Sequence, residues 1–368
     1  REFVSLASKG IDVFRIFDSL NWAENMRVAI DAVLQSGKIC EASLCYTGDI
    51  LNPERSKYDI KYYVKLAAEL KAAGTHILGI KDMAGLLKPA AAKVLIKAIK
   101  EEVGIPIHFH THDTSGLGGA TILAAAESGV DIVDVAMDSF SGGTSQPCLG
   151  SIVEALKYTV RDTKLDSVAI TEINNYWSSN RNQYAAFETG LTSPASEIFT
   201  HEMPGGQFTN LKEQARSLGI SSHKWGKISA MYASVNKMFG DIIKVTPSSK
   251  VVGDMALYMI TNDLSPQDVL DPDKEISFPE SVIEFFKGEL GTPLGGFPEK
   301  LQKKILGNLE PMKDRPGAVL PLVDLKILKK KLEEKHGEII DNKKLASYLM
   351  YPKVFDEFMD HYKKFSDI

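Results

Sequence analysis

The sequence predicts a (β/α)8 barrel, of which about five βα units are visible, followed by a mainly helical region. Three observations predict it. Short apolar runs recur about every thirty residues through the first 160 positions, separated by amphipathic stretches that close on glycine. Nearly every run ends in polar residues, as strands do at the carboxyl edge of a parallel sheet. No glycine-rich phosphate fingerprint follows the first run, which favours a barrel over an open doubly wound sheet.

The elements follow in order. EFVSLASKG at the start reads as the second half of a helix, and the runs IDVFRIFD (11–18) and KICEASLCYT (38–47) as the first two strands. Tyr63, Leu66, Ala67 and Leu70 fall at i, i+3, i+4 and i+7, a helix that Gly74 closes. The third strand lies in THILGIKDMAG (75–85). Pro89 opens the next helix, since its fixed φ suits a first turn. PIHFHTHD (106–113) is the fourth strand, ATILAAAES a helix closed by Gly129, and VDIVDVAMD (130–138) the fifth strand. Eight strands close a barrel, so about three units are expected before Arg1. After about 165 the rhythm turns helical with Pro and Gly breaks, and from PLVDLKILKKKLEEKHGEI onward the text becomes lysine-rich. The expected division is therefore 1–165, 166–318 and 319–368.

Composition excludes several function classes. A net charge of −5 gives no electrostatic case for nucleic acid, and the run Lys326 to Lys331 is balanced at once by Glu333 and Glu334. No apolar run reaches the roughly 18 residues of a membrane span, so neither a nucleic-acid nor a membrane partner is expected. Three scattered cysteines make neither a disulfide framework nor a cysteine zinc site; a cytoplasmic location is expected.

Chemistry concentrates at the predicted strand ends. His108, His110 and His112 alternate along one strand, so all three imidazoles share a face. His110 and His112 can meet one metal ion, or form a hydrogen-bonded structural cluster; His108 lies one pleat deeper and reads as a core histidine. Lys81 ends the apolar strand HILGI. Near a cation it would be held as a neutral amine, able to add carbon dioxide and ligate metal as a carbamate; paired with Asp82 or another carboxylate it would be structural. Thr209 in GGQFTN sits near a helix start, where the default role is an N-cap. Arg15 either binds an anion or lies outside the barrel. SFSGGTSQP, after the last strand, is a glycine loop at the same edge, suited to close backbone approach.

FRIFDSLNW, SLCYTGDILNP, GIKDMAGLLKP, HFHTHDTSG, SFSGGTSQP and HEMPGGQFTNLKEQA together resemble the carboxyltransferase region of the pyruvate carboxylase family. The resemblance runs through the whole chain. Related families, the α subunit of oxaloacetate decarboxylase and the metal-bearing subunit of transcarboxylase, share the barrel motifs. The resemblance implies a biotin-dependent ligase that transfers a carboxyl group from carboxybiotin to pyruvate, forming oxaloacetate. It implies a divalent metal (zinc, manganese or cobalt) held by carbamylated Lys81, His110 and His112, with an aspartate ligand and the pyruvate-binding residues outside this sequence. It further implies that Thr209 passes a proton between pyruvate and biotin. The partners so implied are a biotin carboxyl carrier domain, a biotin carboxylase domain and further copies in a homo-tetramer. By the same resemblance, 166–318 would complete the active-site funnel and 319–368 would begin a tetramerisation and allosteric region. No biotinylation sequence is present, so the chain reads as a fragment inactive alone. Two rival readings are a biotin-dependent oxaloacetate decarboxylase α subunit and, in another class, an oligomerisation module.

Overall fold

A computed structural model of the chain describes residues 1–188, 191 and 193–365. The last three residues of the lysine-rich segment lie outside the described residues.

Five parallel strands form one sheet: β1 (Val13–Phe17), β2 (Ile39–Cys45), β3 (Ile77–Asp82), β4 (Ile107–Thr111) and β5 (Ile132–Val133). Their spatial order is β1-β2-β3-β4-β5, the order of the chain itself. A doubly wound sheet would reverse at a switch point, whereas a barrel does not. Helices α1 (Glu2–Ala7), α2 (Ala23–Gln35), α3 (Ile60–Ala72), α4 (Pro89–Val103), α5 (Gly118–Glu127) and α6 (Leu149–Leu156) alternate with the strands. From α3 to α6 each helix packs on the next, so these helices line one face of the sheet.

That face is apolar. Ala42, Leu44, Leu78, Ile80, Ile107 and Phe109 are fully buried against Tyr63, Leu70, Leu95, Ile96 and Ile122 from the helices. Local chemistry fixes the helix ends as expected: Asp59 caps α3 by accepting from Tyr62 N–H, and Pro89 occupies the first turn of α4. Gly74 and Gly129 follow α3 and α5 with positive φ.

The helical region continues with α7 (Ser167–Asn180), α8 (Ile198–His201), α9 (Gly205–Ser217), α10 (Trp225–Met238) and α11 (Ser248–Thr261). Then come α12 (Pro266–Leu270), α13 (Glu280–Lys287), α14 (Glu299–Leu306) and α15 (Pro316–Val319). A second apolar cluster built on Phe208, Tyr232, Phe239, Phe285 and Phe286 holds α9, α10, α11, α13 and α14 together. Helices α16 (Leu325–His336), α17 (Asn342–Met350) and α18 (Pro352–Phe365) enclose a third, small cluster of Leu332, Ile340, Leu345, Phe355 and Met359. Among the described residues, no helix is long and apolar enough to cross a membrane.

The helical region is fastened to the carboxyl tips of the strands. Ser248 Oγ donates to Ser19 O (3.4 Å) just past β1, and Lys244 Nζ to Thr47 Oγ1 (3.3 Å) just past β2. Beyond β3, Gly205 N–H donates to Met83 O (3.0 Å). Buried Lys244 also pairs with Glu202 (3.1 Å), which Arg55 meets from the other side. The sheet's polar edge and the helical region thus share one boundary, and the predicted site residues stand along it.

Candidate metal and carboxyltransferase site

Alternation along the strands sends Arg15, Phe17, Glu41, Ser43, Gly79, Lys81, His108 and His110 to the face opposite the helices. The register sets Gly79 beside His108 and Lys81 beside His110. Gly79 is demanded by space. A Cβ there would stand 2.0 Å from Ser43 Oγ and 2.9 Å from Glu41 Oε1, so the strand gives up a side chain to admit its neighbours' polar groups.

The deepest of the three histidines is structural in its contacts. His108 Nδ1 lies 2.9 Å from Glu41 Oε2 and Nε2 2.8 Å from Asp134 Oδ1. A carboxylate only accepts, so both ring nitrogens donate and the ring is an imidazolium. Burial alone would push its pKa down, but the bonds to Asp134 and Glu41 outweigh that and hold it up at about 9. Arg15 completes the group, 2.6 Å from Glu41 and 3.2 Å from Asp134. Two cations and two anions therefore balance on the face of the sheet opposite the helices. Arg15 faces inward and is paired, which answers both alternatives for it: it is neither exterior nor a free anion site.

His110 and His112 behave differently. His110 Nδ1 lies 2.8 Å from Asp134 Oδ2, and His112 Nδ1 lies 2.6 Å from the carbonyl oxygen of Thr144. In each case the partner accepts, so Nδ1 carries the proton. In the neutral rings both Nε2 atoms are then bare lone pairs, and they face each other at 3.4 Å. His112 is neutral at pH 7, its pKa pushed down to about 4 chiefly by burial. Two ring nitrogens at that separation can share one proton or converge on one cation. An imidazole whose far nitrogen is committed to a carboxylate or carbonyl is also the usual form of a metal-bound histidine. The residues fit a cation.

Lys81 stands in the next strand of the same row, its Nζ 4.4 Å from the centre of the Phe17 ring. Burial pushes its pKa down, favouring the neutral amine. It has no ion pair with Asp82, whose carboxylate points the other way to accept from Leu86 N–H, Leu87 N–H and Thr111 Oγ1. Among the described residues, no group of three His, Cys, Asp or Glu side chains is arranged to hold a metal. The juxtaposition here consists of two histidines and a lysine.

Thr209 is not an N-cap. The cap of α9 is Pro204, and the two glycines of the expected turn lie inside the first helical turn. Thr209 falls one turn later, half-buried, with its Oγ1 donating back to Gly205 O at 3.1 Å. Gly205 is the link to the histidines: a Cβ on it would stand 2.8 Å from His112 Nδ1 and 2.8 Å from Thr144 O. Thr209 is therefore about one helical turn, some 5–6 Å along the axis, from a residue that stands against His112. A second threonine, Thr246, is exposed on the segment that Lys244 and Ser248 fasten to the tips of β1 and β2. No hydrogen bond of its hydroxyl occurs among the described residues.

The glycine loop expected at this edge does approach closely. Gly142 and Gly143 take positive φ, and the turn they make delivers the Thr144 carbonyl to His112. The same loop lines a cavity of about 620 Å³ together with Arg181, Tyr184 and Pro194. Sequence reasoning missed Asp134 and Glu41. The only trace of Asp134 was its alternation with the apolar residues of VDIVDVAMD.

Comparison with known proteins rests on this geometry. Residues 20–176 match the HMGL-like family model and residues 198–368 the model described as Conserved carboxylase domain. The carboxyl transferase domain of Rhizobium etli pyruvate carboxylase superposes with a TM-score of 0.96 at 60% identity, over 98% of this chain and 61% of that one. The chain is a relative of the pyruvate carboxylase carboxyl transferase domain. The same Rhizobium domain has been solved with pyruvate and biocytin, at TM-score 0.96 and 60% identity, and with oxamate and biotin. Pyruvate carboxylase of Bacillus subtilis is 51% identical over all of this chain and 32% of its own length. The mitochondrial pyruvate carboxylase of rat is 48% identical over 95% of this chain and 30% of its own. This chain thus spans about a third of the length of these curated relatives.

Proposed function

We propose that this chain forms the metal-bearing part of a carboxyltransferase site that moves a carboxyl group from carboxybiotin to pyruvate, giving oxaloacetate. One observation carries the reading. Two imidazoles bring their Nε2 atoms within 3.4 Å of each other, beside a buried lysine, in a relative of a domain solved with pyruvate and biocytin.

His110, His112 and Lys81 would hold a divalent cation, zinc, manganese or cobalt, with Lys81 as its carbamate. Burial favours the neutral amine that adds carbon dioxide, and the carbamate replaces a cation by an anionic oxygen donor. When bound, the cation supplies positive charge for the pyruvate carbonyl oxygen as the methyl group loses a proton. The carbon–carbon bond then forms between that methyl carbon and the carbon dioxide released from carboxybiotin. A threonine hydroxyl, which donates and accepts at once, carries the methyl proton to the ureido nitrogen of biotin. We assign that relay to Thr209, on its nearness to His112 through Gly205. Thr246 is the second candidate, because its exposed hydroxyl is uncommitted while that of Thr209 already bonds to Gly205 O.

The remaining parts of the proposal rest on the resemblance to pyruvate carboxylase, whose curated sequences are about three times as long as this chain: a biotin carboxyl carrier domain and a biotin carboxylase domain act with this one, in a tetramer of the full enzyme. The three apolar clusters support units at 1–165, 166–318 and 319–368, although Ile198, Ile243 and Val245 join the first cluster from the second unit. The cytoplasmic location expected from the sequence also belongs to this proposal; among the described residues no helix is long and apolar enough to cross a membrane.

The test uses the full-length enzyme. Thr209→Ala should cut oxaloacetate formation by about 10²–10⁴ while ATP-dependent carboxylation of biotin persists. If Thr209→Ala keeps transfer and Thr246→Ala loses it, the relay is Thr246. If His110→Ala and His112→Ala both retain full metal on elemental analysis, the site reading is wrong.

A further inference from the structure

We infer that Asp134 is a positioning residue: its carboxylate fixes the tautomer and aim of His110, and so sets the strength with which the site binds a divalent cation. The inference rests on the reading of His110 and His112 as cation ligands.

Asp134 directly follows the two-residue strand β5, and its N–H donates to Phe109 O at 3.0 Å. Its backbone is thereby pinned to β4 beside the residue that precedes His110. The carboxylate then divides. Oδ1 accepts from His108 Nε2 at 2.8 Å, and Oδ2 accepts from His110 Nδ1 at 2.8 Å and from Arg15 at 3.2 Å. Three donors from β1 and β4 leave it little freedom to turn. With Nδ1–H of His110 held on Oδ2, the only place for the ring's lone pair is Nε2, facing His112.

The two histidines are oriented by unlike groups. Thr144 offers His112 a neutral carbonyl, whereas Asp134 offers His110 a full negative charge. A carboxylate behind an imidazole raises the basicity of its far nitrogen, so His110 is the stronger donor of the pair. His108 enters as the clamp on the other carboxylate oxygen. Both of its nitrogens are spent on Glu41 and Asp134, so it orients the orienter and cannot ligate.

The experiment measures Co²⁺ affinity of the full-length protein by competition with a chelator, and the visible absorption of the bound ion. Asp134→Asn retains the shape but lacks the charge, and should weaken Co²⁺ about 10–100-fold and shift the absorption bands. Asp134→Glu retains the charge but displaces it by one methylene, and should also bind more weakly than wild type. His110→Ala should lose the ion. Wild-type affinity in Asp134→Asn, or in Asp134→Glu where the former does not fold, overturns the inference provided that His110→Ala has lost Co²⁺. If His110→Ala and His112→Ala bind Co²⁺ as wild type does, the ligand reading fails first and takes the role of Asp134 with it.

Discussion

His108 in the sheet interior and His201 in the helical region are both buried, 9% and 3% exposed, yet they carry opposite protonation. His201 sits against the Phe208 ring at 6.5 Å and beside Met203, and its Nδ1 accepts from the Met203 N–H at 3.0 Å. Burial dominates there and pushes its pKa down to about 4, with Glu202 pulling weakly the other way. His108 suffers the same penalty, but two carboxylates from β2 and the end of β5 reach its nitrogens and hold it up at about 9. Burial sets only the cost of charge. What the other elements bring to the ring decides whether that cost is met.

The largest test of this contrast is His108→Leu. Glu41 and Asp134 would keep their charges and lose the cation between them, so unfolding free energy in denaturant should fall by about 3 kcal/mol, the lower end for a broken buried pair because Arg15 still reaches both. A loss under about 1 kcal/mol would break the comparison.

His201 supplies the next test, through pH. Its folded pKa lies below its unfolded value near 6.5, so its contribution is present above 6.5 and is lost as pH falls toward 4. At pH 5 the loss should be about 2 kcal/mol relative to pH 7. In His201→Asn, which keeps an acceptor for Met203 N–H, the drop between pH 7 and pH 5 should shrink by that amount. An unchanged drop would mean that other groups carry the acid sensitivity.

The smallest effect sharpens the argument. Ser43 Oγ reaches Glu41 Oε1 only at 3.5 Å, the outer limit of a hydrogen bond. Ser43→Ala should cost about 0.5 kcal/mol or less, showing that charged partners and not polar neighbours in general support His108.

These contrasts also mark how far the sequence could be read. The strands were legible because β-branched runs with polar tips have no other reading at that spacing, and the shared face of the three histidines follows from the two-residue period of a strand. Which of the three is a candidate ligand depended on partners the pattern does not show. Asp134 lies 24 residues from His110 and 119 from Arg15, and only the folding of the sheet brings them together. The N-cap reading of Thr209 failed for a different reason. The pair Gly205-Gly206 looked like a turn, but neither takes a positive φ, and Gly205 is required by the nearness of His112. A glycine demanded by a neighbour and one demanded by a dihedral look alike in sequence.

That contact makes the helical region a gauge of His112, one of the two candidate ligands. From α9 it is the backbone at Gly205 that stands against the imidazole, and packed protein is close to incompressible. With α9 seated, the ring has one resting orientation, on the Thr144 carbonyl. Were α9 to lift, His112 would gain room to swing off that anchor and carry its Nε2 away from His110. The docking of a helix far along the chain is therefore read out, without any relay of side chains, as the alignment of a single ring nitrogen.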